Sequence, residues 1–181
     1  MKILKSENTI RKIVFTALFA SLVFVGSVAV HIHVPVPTIA GCVTLGDCIV
    51  LVGGILLGPL YGGLAAGLGS AMADLMYEHL VYVPASFVIK MLMAVAAYGV
   101  YRVLSKDVHS YRSVPLCIAA AAGELVMVGG YLLYETVLFS FGAALAGLFA
   151  HILQGCIGAL LAIIILKLLK KTKLVDMIKI K

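Results

Sequence analysis

Apolar runs long enough to cross a bilayer follow one another along this chain of 181 residues with little between them. In hydrocarbon, where water cannot satisfy backbone polar groups, a run of about 20 such residues has to be a helix. Hydrophobic residues make up 63% of the sequence and charged ones 12%, with a mean hydropathy of +1.15. A soluble domain carries about twice that charge. The expectation is an all-α, polytopic membrane protein: a bundle of six transmembrane helices forming a single domain over residues 1–181.

The first span is predicted at Arg11 to Val30. "HIHVPVPTIAGC" then reads as a loop, marked by Pro35 and Pro37. The second span runs from Leu45 to Leu57 and stops at Gly58-Pro59, and the third runs from Leu60 to about His79. Pro84 opens the fourth, which ends near Tyr101; the fifth covers Val114 to Leu138 and the sixth Gly142 to Leu166. Six spans leave no room for a nucleotide-binding module, and no Walker loop is present, so ATP energy has to come from another subunit. The first span is too long for a cleaved signal peptide and no clear small-residue cleavage site follows it. Cys42, Cys48, Cys117 and Cys156 form no CxxC pair and read as small apolar fillers.

A net charge of +6 could suggest nucleic acid, but its placement suggests lipid. Lys2, Lys5, Arg11 and Lys12 precede the first span, Arg102, Lys106 and Arg112 separate the fourth from the fifth, and Lys167, Lys170, Lys171, Lys173, Lys179 and Lys181 follow the last. With six spans all of these lie on one side, and the positive-inside rule makes that side, with both termini, cytoplasmic. The basic C-terminus then serves as an anchor near anionic lipid rather than as a nucleic-acid site.

Ionisable groups inside a bilayer are costly and are paired or functional. Asp47 opens the second span. Asp74 and Glu78 lie in the outer part of the third, Lys90 near the start of the fourth, Glu124 and Glu135 in the middle and outer end of the fifth, and His151 and Gln154 in the sixth. Helical phase groups them: Glu124, Val128, Tyr131 and Glu135 share one face, as do Gly147, His151, Gln154 and Gly158, then Gly67, Ser70, Asp74 and Glu78, then Asp47, Leu51, Gly54 and Gly58. Such faces turn inward in lipid, which predicts a polar cavity open to the outside above a close-packed inner half. Duller roles compete. Lys90 could pair with Asp74, Asp47 could cap its helix, His151 with Gln154 could make an interhelical hydrogen bond, and Tyr131 and Tyr134 could be interface anchors rather than stacking platforms. His31-x-His33 is too little for a metal site and better suits a lid over the cavity.

The stretches "GDCIVLVGGILLGPLYGGLAAGLGSAMADL" and "YVPASFVIKMLMAVAAYG" resemble the substrate-binding S component of energy-coupling factor (ECF) vitamin transporters. The resemblance implies six helices holding one vitamin near the outer face, in a bacterial plasma membrane. It also implies partners: a membrane coupling subunit and two cytoplasmic ATPases, with the S component tipping over in the membrane to deliver its cargo. The family's small-residue patch on the first span corresponds to Ala17-x-x-x-Ser21, with Ala20 beside it, as the coupling surface. Metal-transporting relatives carry histidine after the initiator methionine; Met1-Lys2 here counts against nickel or cobalt.

An outer cavity rich in carboxylates disfavours an anion and suits a neutral or weakly basic ring bearing hydrogen-bond donors. Pyridoxine-type vitamers and the hydroxymethylpyrimidine precursor of thiamin fit, whereas riboflavin is large for the short loops. The substrate-binding candidates are Glu124, Tyr131, Glu135, His151, Gln154, Asp47, Glu78, Lys90, Phe87 and His33, with no catalytic residue, metal or cofactor expected. Glu124, without an opposite charge at its depth, is the leading ligand contact. Two rivals remain open: a solo proton-coupled vitamin transporter, and an intramembrane serine protease using Ser70 and His151.

Overall fold

A computed structural model describes residues 2–33, 42–105 and 111–171. Lys106, Lys173, Lys179 and Lys181, which carry part of the charge argument, lie outside the described residues. Five helices follow one another: α1 (Lys2–Ala29), α2 (Gly46–Met76), α3 (Val83–Leu104), α4 (Ser113–Leu138) and α5 (Phe141–Lys171). Two short strands, β1 (His31–His33) and β2 (Cys42–Thr44), stand between α1 and α2. They pair antiparallel with His31 opposite Thr44, so the segment expected as loop has strands at its two ends. Helix α2 packs against α1, α3 and α5, while α4 bridges α3 and α5. The result is a closed ring of four helices with α1 laid on α2.

Each helix is predominantly apolar, and many of its large side chains face outward. On α1, Phe19, Val23 and Ser27 recur every fourth residue and are buried, whereas Ile13, Val14, Leu18 and Leu22 are exposed. Val103 and Val137 are 84% and 85% exposed. A surface of this kind matches hydrocarbon, not water.

The second and third expected spans are the two arms of α2. Gly58 lies between them at φ 84°, ψ −179°, a left-handed setting that glycine adopts without steric cost, and Pro59 follows. The arms fold back on each other. A Cβ on Gly62 would stand 2.7 Å from both the Gly53 carbonyl oxygen and Gly54 Cα, which no continuous helix allows. The first arm, residues 46–57, is about 18 Å long, well short of the ~30 Å hydrocarbon thickness. It starts inside the bundle, because Asp47 reaches Gln154, roughly 20 Å along α5 from Phe141. Among the described residues, five helices are long and apolar enough to cross a membrane, where six were expected.

The interior is polarised along its axis. Toward the Gly58 end, Leu51, Met93, Ala97, Tyr101, Leu116 and Leu166 are at most 1% exposed and pack together. There Tyr101 and Tyr111 stack at 6.5 Å, and the Tyr111 amide donates to the Tyr101 hydroxyl at 2.9 Å. The buried charged and amide side chains, namely Asp47, Lys90, Glu124, Glu135, His151 and Gln154, lie from mid-bundle toward the strand end.

Candidate functional site

A polar cavity of about 60 Å³ occupies the strand end of the bundle. Every helix and both strands line it: Ser27 from α1, His31 from β1, Thr44 from β2, Ser70, Ala73 and Asp74 from α2, Ser86 and Lys90 from α3, Tyr131 from α4, and His151 and Gln154 from α5. Tyr77, His79 and Tyr82, in the turn between α2 and α3, complete the wall. By volume it has room for about four water molecules.

Beneath the cavity, Lys90 Nζ donates to Asp47 Oδ1, and Gln154 Nε2 donates to Asp47 Oδ2 at 2.6 Å. Both carboxylate oxygens of Asp47 are therefore engaged by side chains from two other helices. The expected Lys90–Asp74 pair is replaced by Lys90–Asp47, because the short first arm carries Asp47 down to the level of Lys90 instead of leaving it at the bundle's mouth. Nor does Asp47 cap its helix: the N-cap position is Leu45, with no side-chain cap bond.

One wall is aromatic. The Tyr131 and His151 rings stack at 5.0 Å with planes 8° apart. The Tyr131 hydroxyl and Ser86 Oγ are hydrogen-bonded at 2.7 Å, and Lys90 Nζ lies 5.5 Å from the centre of the Tyr131 ring. Behind the imidazole, fully buried Glu135 stands 3.2 Å from His151 Nε2 and accepts from the Tyr82 hydroxyl at 3.3 Å. Tyr131 thus acts inside the protein. Tyr134 is half-buried, and its hydroxyl donates to the Val81 carbonyl. The interhelical hydrogen bonding expected of His151 and Gln154 is present, each side chain being held by a carboxylate on another helix.

Lys90, Tyr131, His151 and Gln154 line the cavity, while Asp47 and Glu135 stand behind it and fix lining residues. Glu124 is also outside the lining. It is 7% exposed, and its two oxygens face Gly155 and Gly158, each 3.0 Å from where a Cβ would be. Neither oxygen has a hydrogen-bond partner among the described residues.

Two candidates are located elsewhere. Glu78 is exposed in the turn at φ 59°, because α2 ends at Met76 and the helical stripe through Ser70 and Asp74 does not extend that far. Phe87 packs flush against α2, its carbonyl oxygen 2.8 Å and its ring 3.0 Å from the Cβ position of Gly67. His33 ends β1, and its side chain lies outside the described residues.

Sequence reasoning missed Ser27, Ser86, Tyr77 and His79 as lining residues. Ser86 had a readable signal, one turn before Lys90 on the same face; His79 had none, since it lies in an irregular turn. On α1, Ala17 and Ser21 are exposed and Ala20 is half-buried, with the Ser21 hydroxyl bonded back to the Ala17 carbonyl at 2.9 Å. Ser70 and His151 both line the cavity, but His151 Nε2 is directed at Glu135.

Known proteins sharpen the picture. Residues 7–171 match the family described as "ECF-type riboflavin transporter, S component". The chain is 26% identical over 177 residues, 97% of both proteins, to the thiamine precursor transporter HmpT of Lactococcus lactis subsp. cremoris (strain MG1363). It is 29% identical over 130 residues to an uncharacterised protein of Pyrococcus woesei, covering 72% of this chain and 83% of the other. With its membrane-crossing helices and a match over nearly its whole length, the chain is a multi-pass membrane protein and belongs to the ECF-type riboflavin transporter S component family.

Proposed function

We propose that this protein is the substrate-binding subunit of an ATP-driven ECF importer whose cargo is a single-ring vitamin precursor, hydroxymethylpyrimidine before pyridoxine-type vitamers. The observation that carries the reading is the small polar cavity with a stacked Tyr131–His151 wall above the Asp47–Lys90–Gln154 floor. A flat ring suits the aromatic wall, and hydrogen-bonding groups around it suit a ring with polar substituents. The floor disfavours an anionic cargo, since Lys90, the buried lysine among the described residues, is already neutralised by Asp47. The printed name of the Lactococcus relative supports the same class of cargo. A cavity of about 60 Å³ favours one ring over the three fused rings and sugar-alcohol chain of riboflavin, the compound in the family's name.

The whole chain acts as one transmembrane unit with its strand end facing outward and both termini in the cytoplasm. Lysine and arginine at the Gly58 end support that orientation, with Lys12 over the Tyr61 ring and Lys170 and Lys171 in the last turn of α5. The exposed Ala17/Ser21 face of α1 meets the coupling subunit, which works with two ATPases. The apolar packing at the Gly58 end supports delivery by movement of the whole subunit rather than by a channel through it.

The test is to purify the protein in mild detergent and identify the retained small molecule by mass spectrometry. Hydroxymethylpyrimidine or a pyridoxine-type vitamer is expected. Retention of riboflavin, or nanomolar riboflavin binding by the emptied protein, would overturn the cargo assignment.

A further inference from the structure

The cavity's polar lining is mostly engaged by the protein itself: Tyr131 by Ser86, His151 by Glu135, and both Lys90 and Gln154 by Asp47. Asp74 differs. It supplies the carboxylate among the lining residues, and its Oδ2 is buried without a hydrogen-bond partner among the described residues. Its place is fixed by α2, one turn after Ser70, with Ser86 within hydrogen-bonding reach of the carboxylate and Tyr131 also lining the cavity. A buried acceptor left unbonded is destabilising, and native proteins seldom leave one without an occupant or a purpose. Here the residue that carries it lines the ligand cavity. Asp47 and Glu124, the more obvious carboxylates in the sequence, are absent from the cavity lining.

Resting on the cargo reading above, we infer that Asp74 is the specificity-determining acceptor of the site, receiving an N–H from the exocyclic amine of a neutral heteroaromatic ring that lies along the Tyr131–His151 wall. A carboxylate accepts from an amine and repels a carbonyl oxygen in the same place, so Asp74 selects amino over oxo rings. The carboxylate, held against one edge of the ring, reads the substituent, while the aromatic wall reads flatness alone.

The experiment is calorimetric titration of the purified, emptied protein with 4-amino-5-hydroxymethyl-2-methylpyrimidine and with its 4-oxo counterpart, for wild type and Asp74→Asn. Wild type should prefer the amino compound by about tenfold or more, the scale of one unmet buried hydrogen bond. Asp74→Asn, whose amide can also donate, should lose most of that preference or reverse it. An unchanged preference in a folded Asp74→Asn overturns the role of Asp74 and leaves the cargo reading intact. If wild type binds neither compound, both fall. Should the variant not fold, the 4-dimethylamino pyrimidine, which has no N–H, is titrated against wild type. Binding about tenfold weaker than the amino compound supports the inference, and binding within threefold overturns it.

Discussion

Asp47 and Lys90 stand 43 positions apart in the chain and are joined side chain to side chain in the middle of the bundle, with Gln154 holding the other carboxylate oxygen. Their attraction is offset by the cost of taking both charges out of water, so the pair organises the site more than it stabilises the fold.

Losing one partner strands the other. Asp47→Asn or Lys90→Met alone should destabilise the protein by about 3–5 kcal/mol. The double variant should recover much of that loss, because no unpaired charge remains. The check is the fraction that stays monodisperse on gel filtration after heating in detergent. A double variant as unstable as the sum of the two singles would show that the pair is not the relevant coupling.

Two glycines, one on a buried face and one facing open space, make a second contrast. A Cβ on Gly158 would stand 2.9 Å from Asp47 Cβ and 3.0 Å from Glu124 Oε1, whereas one on Gly129 would meet nothing within 4 Å. Gly158→Ala should therefore cost about 1–3 kcal/mol through overpacking and weaken ligand binding as well. Gly129→Ala should be neutral or stabilising by up to about 1 kcal/mol through helix propensity. The same heating assay, run side by side, compares them.

The aromatic wall predicts a graded response. Tyr131→Leu removes the ring that stacks on His151 and should weaken hydroxymethylpyrimidine binding by about 2- to 13-fold, the worth of one aromatic pair. Tyr131→Phe keeps the ring and loses only the hydroxyl contact with Ser86, so its effect should be smaller. Calorimetry reads both, and equal losses in the two variants would reject the stacking role.

Substitution at Ala17 should separate assembly from binding. It is exposed on α1, roughly 15 Å along the helix from Ser27, the α1 residue at the cavity. Ala17→Leu should leave ligand affinity unchanged while reducing co-purification with the coupling subunit and ATPases at least severalfold. Close helix approach depends on small residues, and leucine removes it. Normal complex recovery together with normal uptake would show that this face is not the docking surface.

Much of the architecture was legible because hydrocarbon leaves a chain few choices. Apolar runs marked the helix ends to within about five residues except at the start of α1, which begins at Lys2 rather than Arg11, and the period of 3.6 put Glu124, Tyr131 and Glu135, then His151, Gln154 and Gly158, on buried faces. Partners were less legible. Lys90 was expected beside Asp74 because depth was counted from the ends of spans assumed to be complete. The first arm of α2 is not complete, and that shortening alone redirects Lys90 to Asp47. Glu78 was assigned by extending a helical stripe past the true helix end, where φ turns positive. Phe87 had the right chemistry for stacking but faces the groove left by Gly67, a close approach that helical phase does not reveal. The strands at His31–His33 and Cys42–Thr44 were too short to give a periodic signal.

The truncated first arm of α2 explains why there is a chamber at all. Residues 46–57 begin at mid-depth, and the cavity lies above that start. Headroom in such a receptor is metered in helical turns: one more turn before Asp47 would cork the chamber by about 5.4 Å, and one fewer would deepen it by the same step. Differences in cargo size between relatives can thus arise from where one helix begins, with no change to the scaffold around it.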